Sequence, residues 1–86
     1  MEIKVGQVSH YYNRIGVAVL ALTDTLKVGD EIHILGHTTD FNQKVASLEI
    51  EHKKVQSFGP GDDVALKVAK PVRKGDIVYK VIEEAE

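Results

Sequence analysis

The feature that most restricts the fold of this chain is a series of short apolar stretches separated by turn residues. β-Branched side chains occupy most apolar positions, and glycine, aspartate, asparagine or proline interrupts the chain at short intervals. β-Branched residues favour strands, and the turn residues end them. No stretch has the apolar period of a helix longer than a turn or two. We therefore predict an all-β fold.

Alternation of apolar and polar residues places the strands, since neighbouring side chains of a strand point to opposite faces. The predicted strands are Lys4–Tyr12, Ile15–Leu22, Glu31–Gly36, Gln43–His52, Asp63–Ala69 and Ile77–Ile82. Within the fourth, Val45 is out of phase with Ala46 and Leu48, which predicts a bulge. Ile15–Leu22 is apolar on both faces, which indicates either a central strand covered on both sides or a strand at an interface.

Three short segments share a glycine followed by an aspartate: Val28-Gly29-Asp30, Pro60-Gly61-Asp62 and Lys74-Gly75-Asp76. Glycine allows a positive φ, and an aspartate side chain can bind nearby backbone. We predict that all three are structural turns leading into strands, not binding sites.

The length of 86 residues allows one hydrophobic core. Closing a sheet of short strands removes its exposed edges. We predict a small closed Greek-key β-barrel that forms a single domain over residues 1–86, with residues 83–86 as a frayed tail.

Composition narrows the class of protein further. The absence of cysteine excludes disulfides and thiolate metal sites, and no apolar stretch reaches the length of a signal peptide core or a membrane span. We expect a cytoplasmic protein without membrane contact. The net charge of −2 gives no broad positive field, but residues 42–82 carry eight positive and five negative side chains.

Four segments resemble the second domain of elongation-factor-Tu-type translation factors: Leu26–Ile34, Val45–Ile50, Gly59–Leu66 and Val72–Val78. Their order and spacing are similar to the turn and strand pattern of that domain. The resemblance implies a Greek-key barrel that works beside a GTP-binding domain and contacts tRNA or the ribosome. The chain has no GxxxxGK[ST] loop, so we expect that it binds no nucleotide by itself.

The segment His10-Tyr11-Tyr12-Asn13-Arg14 is the most distinctive candidate for binding. Adjacent aromatic residues in a strand point to opposite faces, so at least one of them is expected to leave the core. An exposed tyrosine next to Arg14 suits stacking on a base or anchoring a protein partner. The alternative is that one ring covers the open end of the barrel and the other packs at its edge.

The polar stretch Gly36–Gln43 is predicted to form a hairpin loop, which contains His37, Thr38, Thr39 and Phe41. Loops on a rigid barrel often carry binding residues. The alternative is a capped turn in which Phe41 plugs the end of the barrel.

A basic stripe that suits RNA phosphates would form if the last two strands lay beside the fourth. Its residues are His52, Lys53, Lys54, Lys67, Lys70, Arg73 and Lys74. The alternative is that these side chains only keep the surface solvated.

Catalysis and cofactors are not indicated. The four histidines show no metal-ligand spacing and no HExxH motif occurs, so we expect no metal and no cofactor. No arrangement of serine, histidine and carboxylate stands out, and we predict that the chain is not an enzyme.

These observations predict a non-catalytic, translation-elongation-factor-like β-barrel module that associates with RNA or the ribosome, with tRNA or rRNA as partners. The alternative is a protein–protein interaction module that docks on a separately encoded enzyme or factor. The predicted binding residues are His10, Tyr11, Tyr12, Arg14, His37, Thr38, Thr39, Phe41, His52, Lys53, Lys54, Arg73 and Lys74.

Overall fold

The computed structural model describes residues 1–50, 53–55 and 57–82. Its strands are β1 (Glu2–Tyr12), β2 (Val17–Leu22), β3 (Leu26–Lys27), β4 (Glu31–Leu35), β5 (Asp40–Lys44), β6 (Leu48–Ile50), β7 (Lys53–Val55), β8 (Ser57–Phe58), β9 (Asp63–Lys67) and β10 (Ile77–Val81). The prediction of an all-β fold is confirmed. Within these ranges the chain forms no helix with the length and hydropathy needed to cross a membrane.

Eight strands form one antiparallel sheet in the order β5-β4-β10-β1-β2-β9-β6-β7, and β3 pairs separately with β8. The long strand β1 organises this sheet, because its first half pairs with β10 and its second half with β2. The register of β1 shifts between Lys4 and Gly6 and again between Val8 and His10. Such bulges bend a strand and increase its twist, which curls the sheet.

The concave side of the curled sheet holds the hydrophobic core. Strand β2 alternates along its length, with Ala18, Leu20 and Leu22 buried and the residues between them half-buried. The same alternation buries Ile32 and Ile34 of β4. Each fully buried aliphatic side chain of this size contributes about 1.5–3 kcal/mol relative to an exposed one. The alternation of apolar and polar residues in β4 thus marks its buried face, whereas β2 is apolar on both faces and its buried face is set by the sheet.

The curled sheet is a half-barrel. Among the described residues no ladder joins β5 to β7, the two end strands of the sheet. The side chain of Gln43 on β5 instead reaches the chain just after β9, where it binds the backbone of Lys67 and Ala69. In a closed barrel, backbone hydrogen bonds between two strands would join these parts of the chain. Here the side chain of Gln43 joins them.

The three glycine-aspartate segments are turns, as predicted. Gly29, Gly61 and Gly75 have φ values of +96°, +88° and +95°, which suit the third position of a type II turn. In each turn the aspartate carboxylate accepts the backbone N–H three residues earlier. These bonds join Lys27 to Asp30 at 3.0 Å, Gly59 to Asp62 at 3.1 Å and Arg73 to Asp76 at 2.8 Å.

The predicted strand Gln43–His52 is wrong, because the chain leaves the sheet at Val45. Val45 is buried in the core, its N–H donates to the carbonyl of Asp30, and its own carbonyl accepts the N–H of Gly29. The out-of-phase position therefore marks a break between β5 and β6 and not a bulge. Strand β5 also begins earlier than predicted, at Asp40, and His52 lies outside the described residues.

Candidate docking surface

The convex side of the sheet carries a patch that runs across β1, β2 and β9. Directly opposite residues of antiparallel strands share a face, and the register sets three rows of such residues. The rows are Tyr12–Val17–Lys67, His10–Val19–Ala65 and Gln7–Ala21–Asp63. Because the alternate residues of β2 fill the core, these side chains point away from it. We call this patch the β1–β2–β9 face.

The centre of the β1–β2–β9 face is apolar. Val17, Val19 and Ala21 are half-buried, and Tyr12 is 50% exposed. An antiparallel sheet with one solvated face normally carries polar residues there. Strand β2 is therefore central in the sheet, with core on its inner side and apolar side chains at the surface on its outer side. The sequence left two alternatives for this segment, a central strand covered on both sides or a strand at an interface. The half-buried apolar residues on the outer side of β2 fit a strand at an interface.

The hairpin tip between β1 and β2, residues 13–16, extends this apolar surface. Ile15 is 58% exposed, and the turn is held by the carbonyl of Tyr12, which accepts N–H groups from Ile15 at 3.3 Å and Gly16 at 2.9 Å. The rings of His10 and Tyr12 meet edge to face with centroids 4.2 Å apart. Residues 10–15 line a shallow depression of about 290 Å³.

The two adjacent tyrosines point to opposite sides of the sheet. Tyr11 is half-buried and packs against the core, whereas Tyr12 lies on the convex side. The expectation that at least one ring leaves the core is confirmed. Of these two tyrosines, Tyr12 is the one whose ring lies on the convex side.

Residues 68–76, which we call the 68–76 cap, cross the end of the half-barrel next to the hairpin tip. The N–H of Val68 donates to the carbonyl of Gly16 at 2.9 Å, which ties the start of the cap to the tip. Its end is tied to Val8 of β1, whose carbonyl accepts the N–H of Gly75 at 2.7 Å. Val68 and Val72 are buried, so the cap covers the core from this end.

Exposed cations collect at this end of the molecule. They are Arg14, Lys67, Lys70, Arg73 and Lys74, which we call the cationic patch. Within the described part of the chain none of the five forms an ion pair with a carboxylate. The Nζ atom of Lys70 lies 6.0 Å from the centre of the Phe41 ring, a weak cation–π contact.

The loop between β4 and β5 lies at the same end. His37 and Thr38 are exposed, whereas Thr39 and Phe41 are 5% and 8% exposed. Phe41 belongs to the core cluster, so its position fits the packing alternative and not that of a surface contact. Binding by this loop would therefore depend on His37 and Thr38.

The predicted basic stripe is formed only in part. Strand β9 lies beside β6, but β10 lies between β4 and β1, so the last two strands do not both flank the earlier segment. Lys67, Lys70, Arg73 and Lys74 come together through the cap instead. Lys53 and Lys54 belong to β7 by backbone, and their side chains, like His52, lie outside the described part.

Sequence reasoning missed a cluster around His33 on β4. Its Nδ1 lies 2.9 Å from Oε1 of Glu2 and its Nε2 lies 2.6 Å from Oδ1 of Asp40. The hydrogen bond to Glu2 and then that to Asp40 raise the pKa of His33 above its ordinary value of 6.5. Among the described residues no group of three or more side chains is arranged to hold a metal ion.

No known family model matches the chain. It is 39% identical over 83 residues to a protein of Methanocaldococcus jannaschii named as an uncharacterized protease, a match that covers 95% of this chain and 20% of that protein. The chain thus spans about a fifth of the length of the curated relative that it matches.

Two crystal structures show the same fold. Both are of the C-terminal domain of a Geobacillus thermoleovorans protein described as a candidate U32 peptidase, one of them as its selenomethionine variant. The first has a TM-score of 0.87 at 22% identity and covers 92% of both chains. The variant has a TM-score of 0.84 at 22% identity and covers 88% of this chain and 96% of its own.

These comparisons correct the family resemblance drawn from the sequence. The similar proteins are named as a protease and as a peptidase domain, not as translation factors. The identification with the second domain of elongation-factor-Tu-type proteins is therefore wrong, and so is the main functional prediction of an RNA- or ribosome-associated module. The findings fit the alternative, a protein-docking module, better.

Proposed function

We propose that this chain is a non-catalytic docking module that binds a peptidase-type catalytic domain through the β1–β2–β9 face and the hairpin tip. The observation that carries the proposal is the outward apolar row of β2, formed by Val17, Val19 and Ala21. A half-buried apolar strip of this kind, flanked by an exposed tyrosine and rimmed by polar residues, is typical of a protein interface.

The choice of partner follows from the relatives. The M. jannaschii protein that contains the matching segment is about five times longer and is named a protease. Most of that protein therefore lies outside this domain, and a catalytic part would be the nearest large surface for the domain to contact. The Geobacillus structures are of a C-terminal domain by itself, which supports a domain of this fold that is separate from the rest of the protein.

The state of His33 supports a non-catalytic role. Both of its ring nitrogens are engaged by carboxylates, at 2.9 Å and 2.6 Å. A histidine general base needs one ring nitrogen free to accept a proton from the reacting group. His33 acts instead as a link between β1, β4 and β5. Cytoplasmic residence and a Greek-key arrangement of the strands stay part of the proposal.

The test is direct binding between this chain and the M. jannaschii relative from which the matching 83 residues are deleted. Biolayer interferometry with the double variant Tyr12→Ala/Ile15→Ser should show affinity weaker by about tenfold or more, because exposed aromatic and aliphatic anchors dominate such interfaces. Leu35→Ser is the matched control, since Leu35 is an exposed apolar residue on β4. Equal binding by the double variant, or no binding at all, would contradict the proposal.

A further inference from the structure

Charge is distributed unevenly between the two ends of the half-barrel. At the end with the hairpin tip and the 68–76 cap, the exposed charges are mainly those of the cationic patch. The opposite end, where Glu31 pairs with Lys44 and Asp63 with Ala21, carries both signs. Its acids include Asp24, Asp30, Glu31, Asp62 and Asp63, and its lysines include Lys4, Lys27 and Lys44.

Two carboxylates at the same end of the molecule as the cationic patch already have partners. Asp76 is 5% exposed, and its carboxylate accepts the N–H of Arg73 within the turn. Asp40 lies 2.6 Å from His33. Both carboxylates are thus bonded to groups other than the lysine and arginine side chains of the patch. The patch therefore holds five cationic side chains without an ion pair among the described residues, on a chain whose net charge is −2.

The cationic patch is continuous with the β1–β2–β9 face. Lys67 belongs to both, because it lies opposite Val17 in the first row of the face. Its side chain also passes over the hairpin tip, where its Cε lies 3.9 Å from the position that a Cβ on Gly16 would take. A partner that covers the apolar rows would thus contact Lys67, from which the chain runs directly into the cap that carries Lys70, Arg73 and Lys74.

We infer that the cationic patch receives a carboxylate-rich segment of the protein partner whose apolar surface covers the β1–β2–β9 face. This inference rests on the proposed docking function and names the chemistry of the partner. Single ion pairs at a surface contribute only about 0–1 kcal/mol. The five cations together act mainly by steering association and by rejecting partners without matching charge.

A protein segment fits the surface better than a nucleic acid. Binding through phosphates needs a broad positive field, whereas here the cations border an apolar strip on a chain of net negative charge. Tyr12 and Ile15 beside the patch offer contacts for aliphatic and aromatic side chains. An acidic segment that also carries apolar residues would match both halves of the surface.

The first test uses a synthetic peptide of glutamate and aspartate that carries one tyrosine, titrated into the ¹⁵N-labelled chain. Changes in amide chemical shift should concentrate at residues 14–17 and 67–75. The affinity for the peptide should fall by about tenfold between low and physiological salt, because salt screens exposed charges. Lys70→Glu/Arg73→Glu should abolish these shifts. Lys4→Glu/Lys27→Glu, a matched charge reversal at the opposite end, should leave them unchanged.

If the charge reversal Lys70→Glu/Arg73→Glu disturbs folding, the milder double variant Lys70→Gln/Arg73→Gln replaces it in this test. Shifts elsewhere, or an affinity that ignores salt and both patch variants, would overturn the inference. Tighter binding of a single-stranded RNA of equal charge would overturn it as well.

The same variants separate this inference from the docking function. If the truncated M. jannaschii relative binds the chain but is insensitive to the patch variants, docking stands and the acidic segment is rejected. If the peptide binds at the patch and the relative does not bind, the preference of the patch for carboxylates stands and the docking function is rejected.

Discussion

The side chain of Gln43 takes the place of a neighbouring strand beside Ala69. Its carboxamide oxygen accepts the N–H of Ala69 at 2.7 Å, and its nitrogen donates to the carbonyl of Lys67 at 2.9 Å. Strand β5 is thereby linked to the start of the 68–76 cap, on the open side of the half-barrel. One amide side chain makes two bonds with the geometry of a β-ladder.

Loss of this contact should loosen the cap without unfolding the chain. We expect Gln43→Ala to lower the free energy of unfolding by about 0.5–1.5 kcal/mol, the usual net contribution of such bonds. Hydrogen exchange at the amide of Ala69 should become faster. Asn42→Ala, an exposed neighbour on the same strand, is the control and should change neither quantity. Equal effects of the two substitutions would show that the contact does not hold the cap.

The His33 cluster should make stability depend on pH. Both ring nitrogens can donate to carboxylates only when the ring is protonated, and these bonds raise the pKa of His33 above 6.5. A raised pKa in the folded state means that the stabilisation is complete below the unfolded value and is lost as the pH rises through the folded value. The free energy of unfolding should therefore fall as the solution is taken from mildly acidic to mildly alkaline.

Urea unfolding across that pH range, together with an NMR titration of the His33 ring, measures this effect. His33→Gln should flatten the dependence, whereas His37→Gln, in the exposed β4–β5 loop, should leave it intact. An NMR midpoint for His33 at or below 6.5 would contradict the expectation.

The turn before β10 requires glycine at one position. Gly75 has a φ of +95°, and no atom lies within 4 Å of the place where its Cβ would be. Strain in the backbone and not crowding should therefore make Gly75→Ala destabilising, by about 1–2 kcal/mol. Gly59→Ala is the matched control, since Gly59 is also uncrowded and has no positive φ. Coinciding thermal melts of the two variants would show that backbone strain at Gly75 does not lower the stability.

Local patterns predicted those parts of the fold that depend on neighbours in sequence. Alternation of apolar and polar residues along β4 marks its buried face, and the glycine-aspartate turns followed from side-chain chemistry at Asp30, Asp62 and Asp76. Contacts that depend on strand order were not predictable in this way. His33 and Glu2 are 31 residues apart and meet only because β10 lies between β4 and β1.

The error about the family has a physical origin too. The resemblance to translation factors rested on turns that lead into strands, such as Lys27–Asp30 and Arg73–Asp76. Any curled antiparallel sheet of this size needs turns of this kind, so they predict the fold and carry little information on the partner. For the apolar row Val17, Val19 and Ala21 of β2 the sequence left two explanations open, and the sheet order places this row on the convex side.

Gly36 should prove essential for the position of the 68–76 cap. The carboxylate of Asp76 occupies the space that a Cβ on Gly36 would need. Gly36→Ala should push this carboxylate away, break its bond to the N–H of Arg73 and destabilise the chain by about 1–3 kcal/mol, as overpacking does. The φ of Gly36 lies outside the left-handed region, so crowding and not backbone strain causes this effect.

A double-mutant cycle separates this contact from general damage. Asp76→Ala removes the carboxylate, so a second substitution Gly36→Ala should then have little further effect on the free energy of unfolding. The coupling between the two sites should reach about 1 kcal/mol or more, as for other residues in contact. Additive effects would mean that Gly36 is needed for a reason other than room for Asp76, and the cap would not be set by this contact.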